Sequence, residues 1–259
     1  MSLALPQDWL ERLALRRDEP ALEPREPLWA GGSQIGSVAP GFFPQLKLPF
    51  WLLLERGTGW ELQGDVTESL AAIALAMREK GLAHAWRDEQ LAVTDGQGRI
   101  LGTIERAAVR PLGITTFAVH LAGVAPDGRH WVQQRSFTKA NDPGMWDTLM
   151  GGMIPAGESL ESALARETWE EAGLRMGQLR ELRHGGRLLT RRPSRDDAMG
   201  YVVEWIDWYR SVVPEGVEPR NQDGEAERFE LLDPEEVTRK LLGDEFTLEA
   251  AVVLSESAR

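Results

Sequence analysis

Hydrophobic and polar positions along the chain fall into two successive patterns that meet near Pro111. Residues 7–17 carry Trp9, Leu10 and Leu13 on one side behind Pro6, which predicts a short amphipathic helix. Pro20, Pro24 and Pro27 then mark an irregular connection. Residues 28–62 are strand-like and are broken by Gly31-Gly32, Gly41 and Gly57, with an apolar run at 50–54, and they predict a small sheet. Residues 66–80 repeat apolar positions at Leu70, Ile73, Ala74 and Met77 and stop at Gly81, the pattern of a helix. Strands follow at 90–94 and 99–105, joined by an Asp95-Gly96 turn. Residues 1–110 therefore read as an α+β unit of their own.

Beyond Pro111 the pattern changes. A long strand is expected at 114–124, turned by Pro126-Asp127-Gly128 into a partner at 131–135. Residues 136–149 read as a loop that delivers the chain to a glycine-rich stretch, and 159–172 as a helix with Ser159 as N-cap and Gly173 as its stop. Further strands are expected at 179–190, 200–209 and 229–232, with loops at 191–197 and 219–225. Helices at 234–242 and 247–254 close the chain, the first opened by Asp233 before Pro234. Strands and helices mixed in this order make the class α/β (α+β), with residues 111–259 as the second unit. No internal repeat and no low-complexity segment occurs.

The stretch from Gly152 to Leu174, GMIPAGESLESALARETWEEAGL, concentrates the chemistry. At about 100° per residue, Glu167, Glu170 and Glu171 fall inside an arc of roughly 100° and share it with Leu160, Ala163 and Leu164. Trp169 points the other way, where a polar residue is expected, and is predicted to pack on the N-terminal unit or on a second subunit. Like charges three or four positions apart repel by about 0.2–0.5 kcal/mol per pair, so a cation should sit among these carboxylates. Hard oxygen donors at this density suit Mg²⁺, or Mn²⁺, bridging to phosphate.

Composition narrows the classes. A chain of 259 residues that is 42% hydrophobic can build a sizeable core, and its formal net charge of −12 argues against a nucleic-acid polymer as partner. The same charge repels a free diphosphate, so metal and local cations must supply the attraction. No cysteine occurs, which excludes disulfides, thiolate metal sites and cysteine nucleophiles. The N-terminus has no basic segment followed by a long apolar one, and no apolar run approaches membrane-spanning length, so no membrane role and a cytoplasmic location are expected.

The spacing of glycines, Arg166 and carboxylates in this stretch resembles the Nudix box, the signature of hydrolases that cleave diphosphates linked to another group. One position departs, with Thr168 where that family has a bulky aliphatic residue. The segments PLWAGGSQIGSVAP, AWRDEQLAV, IERAAVRPLGITTFAVHLAG, RSFTKANDPGMWDTLMGGM and NQDGE are similar to the thiamine pyrophosphokinase-related branch, so that the likeness extends over nearly the whole chain. Here too there is a departure, since Ala122 and Val124 stand where that branch carries Asn and Tyr. The resemblance implies a Nudix fold, a mixed β-sheet sandwiched between helices, with a smaller N-terminal α+β domain.

It also implies roles. Glu167, Glu170 and Glu171 would hold the metal, Arg166 would position a carboxylate, and Glu158 would support them without being a first ligand. Glu225, in a second acidic cluster after the box, matches the place of a general base or additional ligand, whereas Glu227 reads as solvated. Arg135 and Lys139 precede the box in a loop that would approach the diphosphate. His120 is expected mainly as a core histidine, with a ligand contact as its second reading. A cationic thiazolium favours an aromatic wall, and Trp146 adjoins the box-delivering loop.

Three functions are weighed on this basis. The leading one is a metal-dependent hydrolase of thiamine diphosphate, or of a modified analogue, to the monophosphate and phosphate. The second is a Nudix hydrolase of ADP-ribose, a dinucleotide or a nucleotide, because the box handles metal and diphosphate while the rest of the pocket reads the attached group. The third is a catalytically silent binding module, disfavoured because every box carboxylate is present. Isopentenyl diphosphate isomerisation is disfavoured by the absence of cysteine. A small-molecule diphosphate is the expected partner, with a homodimer as an open arrangement.

Overall fold

The computed structural model describes residues 3–258. In chain order it contains α1 (Gln7–Arg17), β1 (Glu26–Ala30), β2 (Ser33–Val38), α2 (Phe42–Leu46), β3 (Leu53–Arg56), β4 (Gly59–Leu62), α3 (Val66–Glu79), β5 (Gln90–Thr94) and β6 (Ile100–Glu105). There follow β7 (Thr115–Val124), β8 (His130–Arg135), β9 (Trp146–Asp147), β10 (Met150–Met153), α4 (Leu160–Ala172), β11 (Arg180–Pro193), β12 (Tyr201–Val212), β13 (Ala226–Leu232), α5 (Pro234–Leu242) and α6 (Leu248–Ser257).

The strands form three sheets. A four-stranded sheet has the order β2-β1-β4-β3, and β5 and β6 pair as a hairpin. A seven-stranded mixed sheet has the path β11-β12-β7-β8-β13, with β10 added to β7 and β9 to β8. Its central pair, β12 and β7, runs parallel from Val203↔Thr115 to Val212↔Val124. Helices cover both faces, which is why β7 is buried along almost its whole length. On one face Val119 and Leu121 meet Ala163, Leu164 and Ala172 of α4; on the other Ala118 and Ala122 meet Val253 of α6. The mixed sheet between helices expected from the sequence is present.

The residues from Leu28 to Ile114 close a separate core around Leu70, Ile73 and Met77 of α3. Asp65 caps α3 by accepting the Glu68 N–H at 3.0 Å. The first helix goes elsewhere: Trp9 and Leu13 pack with Val237, Leu241 and Phe246, against the C-terminal helices.

Several local expectations are corrected. The run at 50–54 is not a strand, since Phe50 and Trp51 are exposed as an edge-to-face pair in a turn and pairing starts at Leu53. A short helix, α2, interrupts the small sheet because Phe42, Phe43 and Leu46 turn inward together. The charged segment 191–197 begins as strand, β11 continuing to Pro193 opposite Tyr201. Within the described residues no helix is long and apolar enough to cross a membrane.

His130, at the start of β8, is 7% exposed, and its Nδ1 has no hydrogen-bond partner among the described residues. Burial, followed by the nearby Arg210 charge, pushes its pKa down to about 4. A histidine kept neutral in the fold is protonated first in the unfolded chain, so its contribution is present above pH ~6.5 and is lost as pH falls toward 4. The loss should reach about 3 kcal/mol at most. Urea unfolding of wild type and His130→Gln at pH 7 and pH 5 measures it, and equal pH dependence in both proteins would remove the explanation.

Candidate active site

The acidic stretch folds as its spacing dictates. Ser159 Oγ accepts the Ser162 N–H at 3.2 Å and starts α4, and Gly173, at φ 66°, ends it by donating to Trp169 O at 2.9 Å. Ala163, Leu164, Thr168 and Ala172 face the sheet. Thr168, the departure from the box, is fully buried and donates its hydroxyl to Leu164 O at 2.6 Å. Its polarity is thus satisfied inside its own helix. Trp169 does not join the N-terminal core; it is 42% exposed, with the Arg175 guanidinium 4.6 Å from its ring centroid.

Arg166 stands among the box carboxylates. It donates to Glu158 through Nε at 3.1 Å and Nη2 at 2.8 Å, and through Nη1 to Glu167 and Glu170, each at 2.9 Å. These hydrogen bonds, led by those to Glu158, hold the guanidinium pKa above its usual value. Glu158 thereby acts as a support for Arg166. Burial pushes the Glu167 carboxyl up to about 7 against the opposing Arg166 charge. Gly152 makes room for it, since a Cβ there would lie 2.2 Å from the Glu167 carboxyl carbon.

Glu171 is the most buried of the three, 2% exposed. Its Oε2 accepts from Gln133 Nε2 at 2.7 Å and from the Gly151 N–H at 3.0 Å, while the Lys139 ammonium stands 3.8 Å from Oε1. Burial outweighs these partners and pushes its pKa up to about 8. The donors here are oxygens only, the set that suits a hard divalent cation. Among the described residues no three acidic, histidine or cysteine side chains stand in a ligating array. Arg166 Nη1 instead holds Glu167 and Glu170 together.

A cleft of about 270 Å³ opens onto these carboxylates. Lys139 and Glu225 both line it and pair at 2.5 Å. Burial disfavours the charged form of Glu225, yet Lys139, and behind it Arg87 and Arg106, hold its carboxyl below the usual range. Arg135 also lines the cleft but is engaged by Asp147 at 3.1 Å and by the carbonyls of Asn141 and Asp142. His120 reaches the cleft wall, with Nδ1 at 3.1 Å from Thr148 Oγ1. Trp146 is corrected: it is 4% exposed in the core with Val237, Leu241 and Phe246, and no Trp, Tyr or Phe lines the cleft among the described residues.

Sequence reasoning missed several lining groups. Behind the lining, Gln133, buried on β8, was missed as the partner that donates to Glu171. In the lining itself, Arg192 pairs with Glu249 at 2.9 Å, and Glu204 accepts from Thr116 Oγ1 at 2.9 Å. Burial, then Glu249, raises the pKa of both Glu204 and Asp142 there. Arg87, Glu89, Arg106 and Arg110 enter from the N-terminal segment. Only folding brings them beside the box.

Comparison with known proteins agrees with the fold and with the box. Residues 116–251 match the family described as the NUDIX domain. Nudix hydrolase 20, chloroplastic, of Arabidopsis thaliana is 31% identical over 180 residues, spanning 65% of this chain and 45% of its own length. Uncharacterized Nudix hydrolase PA4841 of Pseudomonas aeruginosa is 40% identical over 97 residues, 38% of this chain and 56% of its own. The chain spans about half the length of the curated relatives it matches. The crystal structure of DR0079 from Deinococcus radiodurans superposes with a TM-score of 0.53 at 21% identity, covering 66% of this chain and all of that one, which establishes a shared fold. With more than half of its residues inside the matched region and the box carboxylates gathered on one cleft, the chain belongs to the NUDIX domain family.

Proposed function

We propose that this chain is a metal-dependent pyrophosphohydrolase whose substrate is a diphosphate carrying a cationic organic group, with thiamine diphosphate or a modified form of it cleaved to the monophosphate and phosphate. The observation that carries the hydrolase reading is the gathering of Glu167, Glu170 and Glu171 on one cleft, with Gly152 leaving the space that the Glu167 carboxylate occupies. Glu167, Glu170 and Glu171 would hold Mg²⁺, or Mn²⁺ in its place. The bound cation would neutralise phosphate charge and activate water.

The protein's own groups then have defined tasks. Gln133 and the Gly151 N–H fix the Glu171 carboxylate, and Arg166 keeps Glu167 and Glu170 from repelling one another. Glu225, kept ionised by Lys139, takes the proton from the attacking water. The new bond joins water oxygen to phosphorus, the bridging P–O bond breaks, and the departing phosphate keeps that bond's electrons. The organic group faces the part of the cleft lined by Asp142, Glu204 and Glu249, where Arg192 pairs with Glu249 and Arg195 stands 3.8 Å from Asp142. Glu204, buried and without an ion-pair partner among the described residues, favours a cation there, and residues 1–110 are proposed as a unit that walls the opposite side.

A substrate panel tests the reading. Phosphate release in Mg²⁺ from thiamine diphosphate and its analogues should exceed release from ADP-ribose and a dinucleotide. Turnover confined to nucleoside diphosphate derivatives would replace the cationic substrate by the second reading, and no turnover at all would leave a binding module. Glu171→Gln should lower kcat by about 100-fold or more with the melting temperature retained, the scale of an essential charged group. A variant with wild-type kcat would remove Glu171 from the mechanism. Gly152→Ala forces the Glu167 carboxylate aside. Its midpoint for activation by Mg²⁺ should rise about tenfold, and an unchanged midpoint would exclude Glu167 as a metal holder.

A further inference from the structure

The cations of the cleft divide into two groups. Those inside the matched family region are engaged already: Arg166 by three carboxylates, Arg135 by Asp147 and two carbonyls, Arg192 by Glu249, and Lys139 by Glu225. The others precede that region. Arg87 is exposed, and among the described residues its guanidinium makes no hydrogen bond or ion pair. Arg106 uses Nη1 alone, on Glu89 at 2.8 Å, and Arg110 makes a single long contact of 3.4 Å to Asp196.

These three residues are fixed to the site through their backbone. The buried Glu105 carboxylate accepts the N–H groups of Arg87 at 3.0 Å and Ala107 at 3.3 Å, clamping the two segments together. Ala156 of the box donates to Gln90 O at 2.7 Å, and Tyr201 at the start of β12 donates to Arg110 O at 2.9 Å. All three arginines line both the 270 Å³ cleft and an adjoining recess of about 200 Å³. They therefore stand at the junction of the two spaces, with the box carboxylates on one side. Arg87 and Arg106 are near enough to help hold Glu225 ionised.

We infer that Arg87, Arg106 and Arg110 form a seat for the phosphate group of the substrate diphosphate that water does not attack. The inference rests on the pyrophosphohydrolase reading and adds to it a specificity element outside the family region. A diphosphate ester brings more negative charge than a metal held among three carboxylates can offset, and guanidinium groups with free donors meet phosphate oxygens in the geometry they prefer. Engaged arginines would first have to give up carboxylates. Arg87 gives up nothing but water.

Methylenediphosphonate, which hydrolysis cannot cleave, serves as the probe, titrated calorimetrically in Mg²⁺ into the full chain. Arg87→Ala should weaken its binding about tenfold and Arg87→Ala/Arg110→Ala further, with Arg87→Lys recovering part of the loss. Orthophosphate, having no second phosphate, should lose less than about threefold. With a hydrolysed diphosphate, KM should rise while kcat changes little. Unchanged probe binding in the double variant overturns the seat, as does an equal loss for orthophosphate. A wild type that binds the probe through these arginines yet hydrolyses no diphosphate refutes the hydrolase reading and leaves the seat standing. Hydrolysis that persists with unaltered KM in both variants removes the seat alone.

Discussion

A single guanidinium lets α4 carry its acids. Glu158, Glu167 and Glu170 all point at Arg166, whose Nε, Nη1 and Nη2 are shared among them. Without it three carboxylates would face one another beside a helix that packs on an apolar sheet, a repulsion that partial burial would enlarge. Glu171 lies outside this arrangement and depends on neutral donors, Gln133 and the Gly151 N–H, with an ammonium only at 3.8 Å. The two environments have different consequences. A cation entering the cleft competes with Arg166 for Glu167 and Glu170, but at Glu171 it relieves a charge that burial, and then the neighbouring Glu167, oppose.

The sheet geometry makes this possible. β10 lies beside β7 with Gly151 opposite His120 and Gly152 opposite Val119, so two residues without side chains cross beneath α4. The helix can then bring Glu167 and Glu171 down to the strand, one into the space a Cβ would fill and the other onto a backbone N–H. Packing on both faces of β7 keeps that strand in place. Precision at the carboxylates is thus set by Val119, Leu121, Ala163 and Leu164, which have no chemistry of their own.

Much of this was legible in the chain. The helices at 7–17 and 234–242, the hairpin strands near 90–105 and the cap-to-stop limits of α4 follow from periodicity and capping, signals that act within a few residues. The carboxylates and Arg166 were legible because a helix of known pitch fixes their relative directions. What failed depends on distant packing. Trp146 has the composition of a pocket wall but is claimed by a core of Val237, Leu241 and Phe246, about a hundred residues later in the chain. Phe50 and Trp51 look like strand residues, yet a turn leaves them exposed. Arg192, Glu204 and Glu249 reach the cleft from three separate elements, and no local spacing connects them.

Net charge also misleads at the scale of the site. A formal −12 is spread over the whole surface, and exposed charges farther away than about 8–10 Å are screened at ordinary salt. What an incoming anion meets is decided by which cations near it still have free donors. In this fold most of the box region's cations are tied to carboxylates, so the capacity to receive an anion moves to Arg87, Arg106 and Arg110. Their backbone is bonded to the box loop through Gln90 and to β12 through Arg110, so they are held by the same network that orders the carboxylates. A box excised from residues 1–110 would keep its acids and Arg166, and lose the cations that Arg166 itself cannot replace.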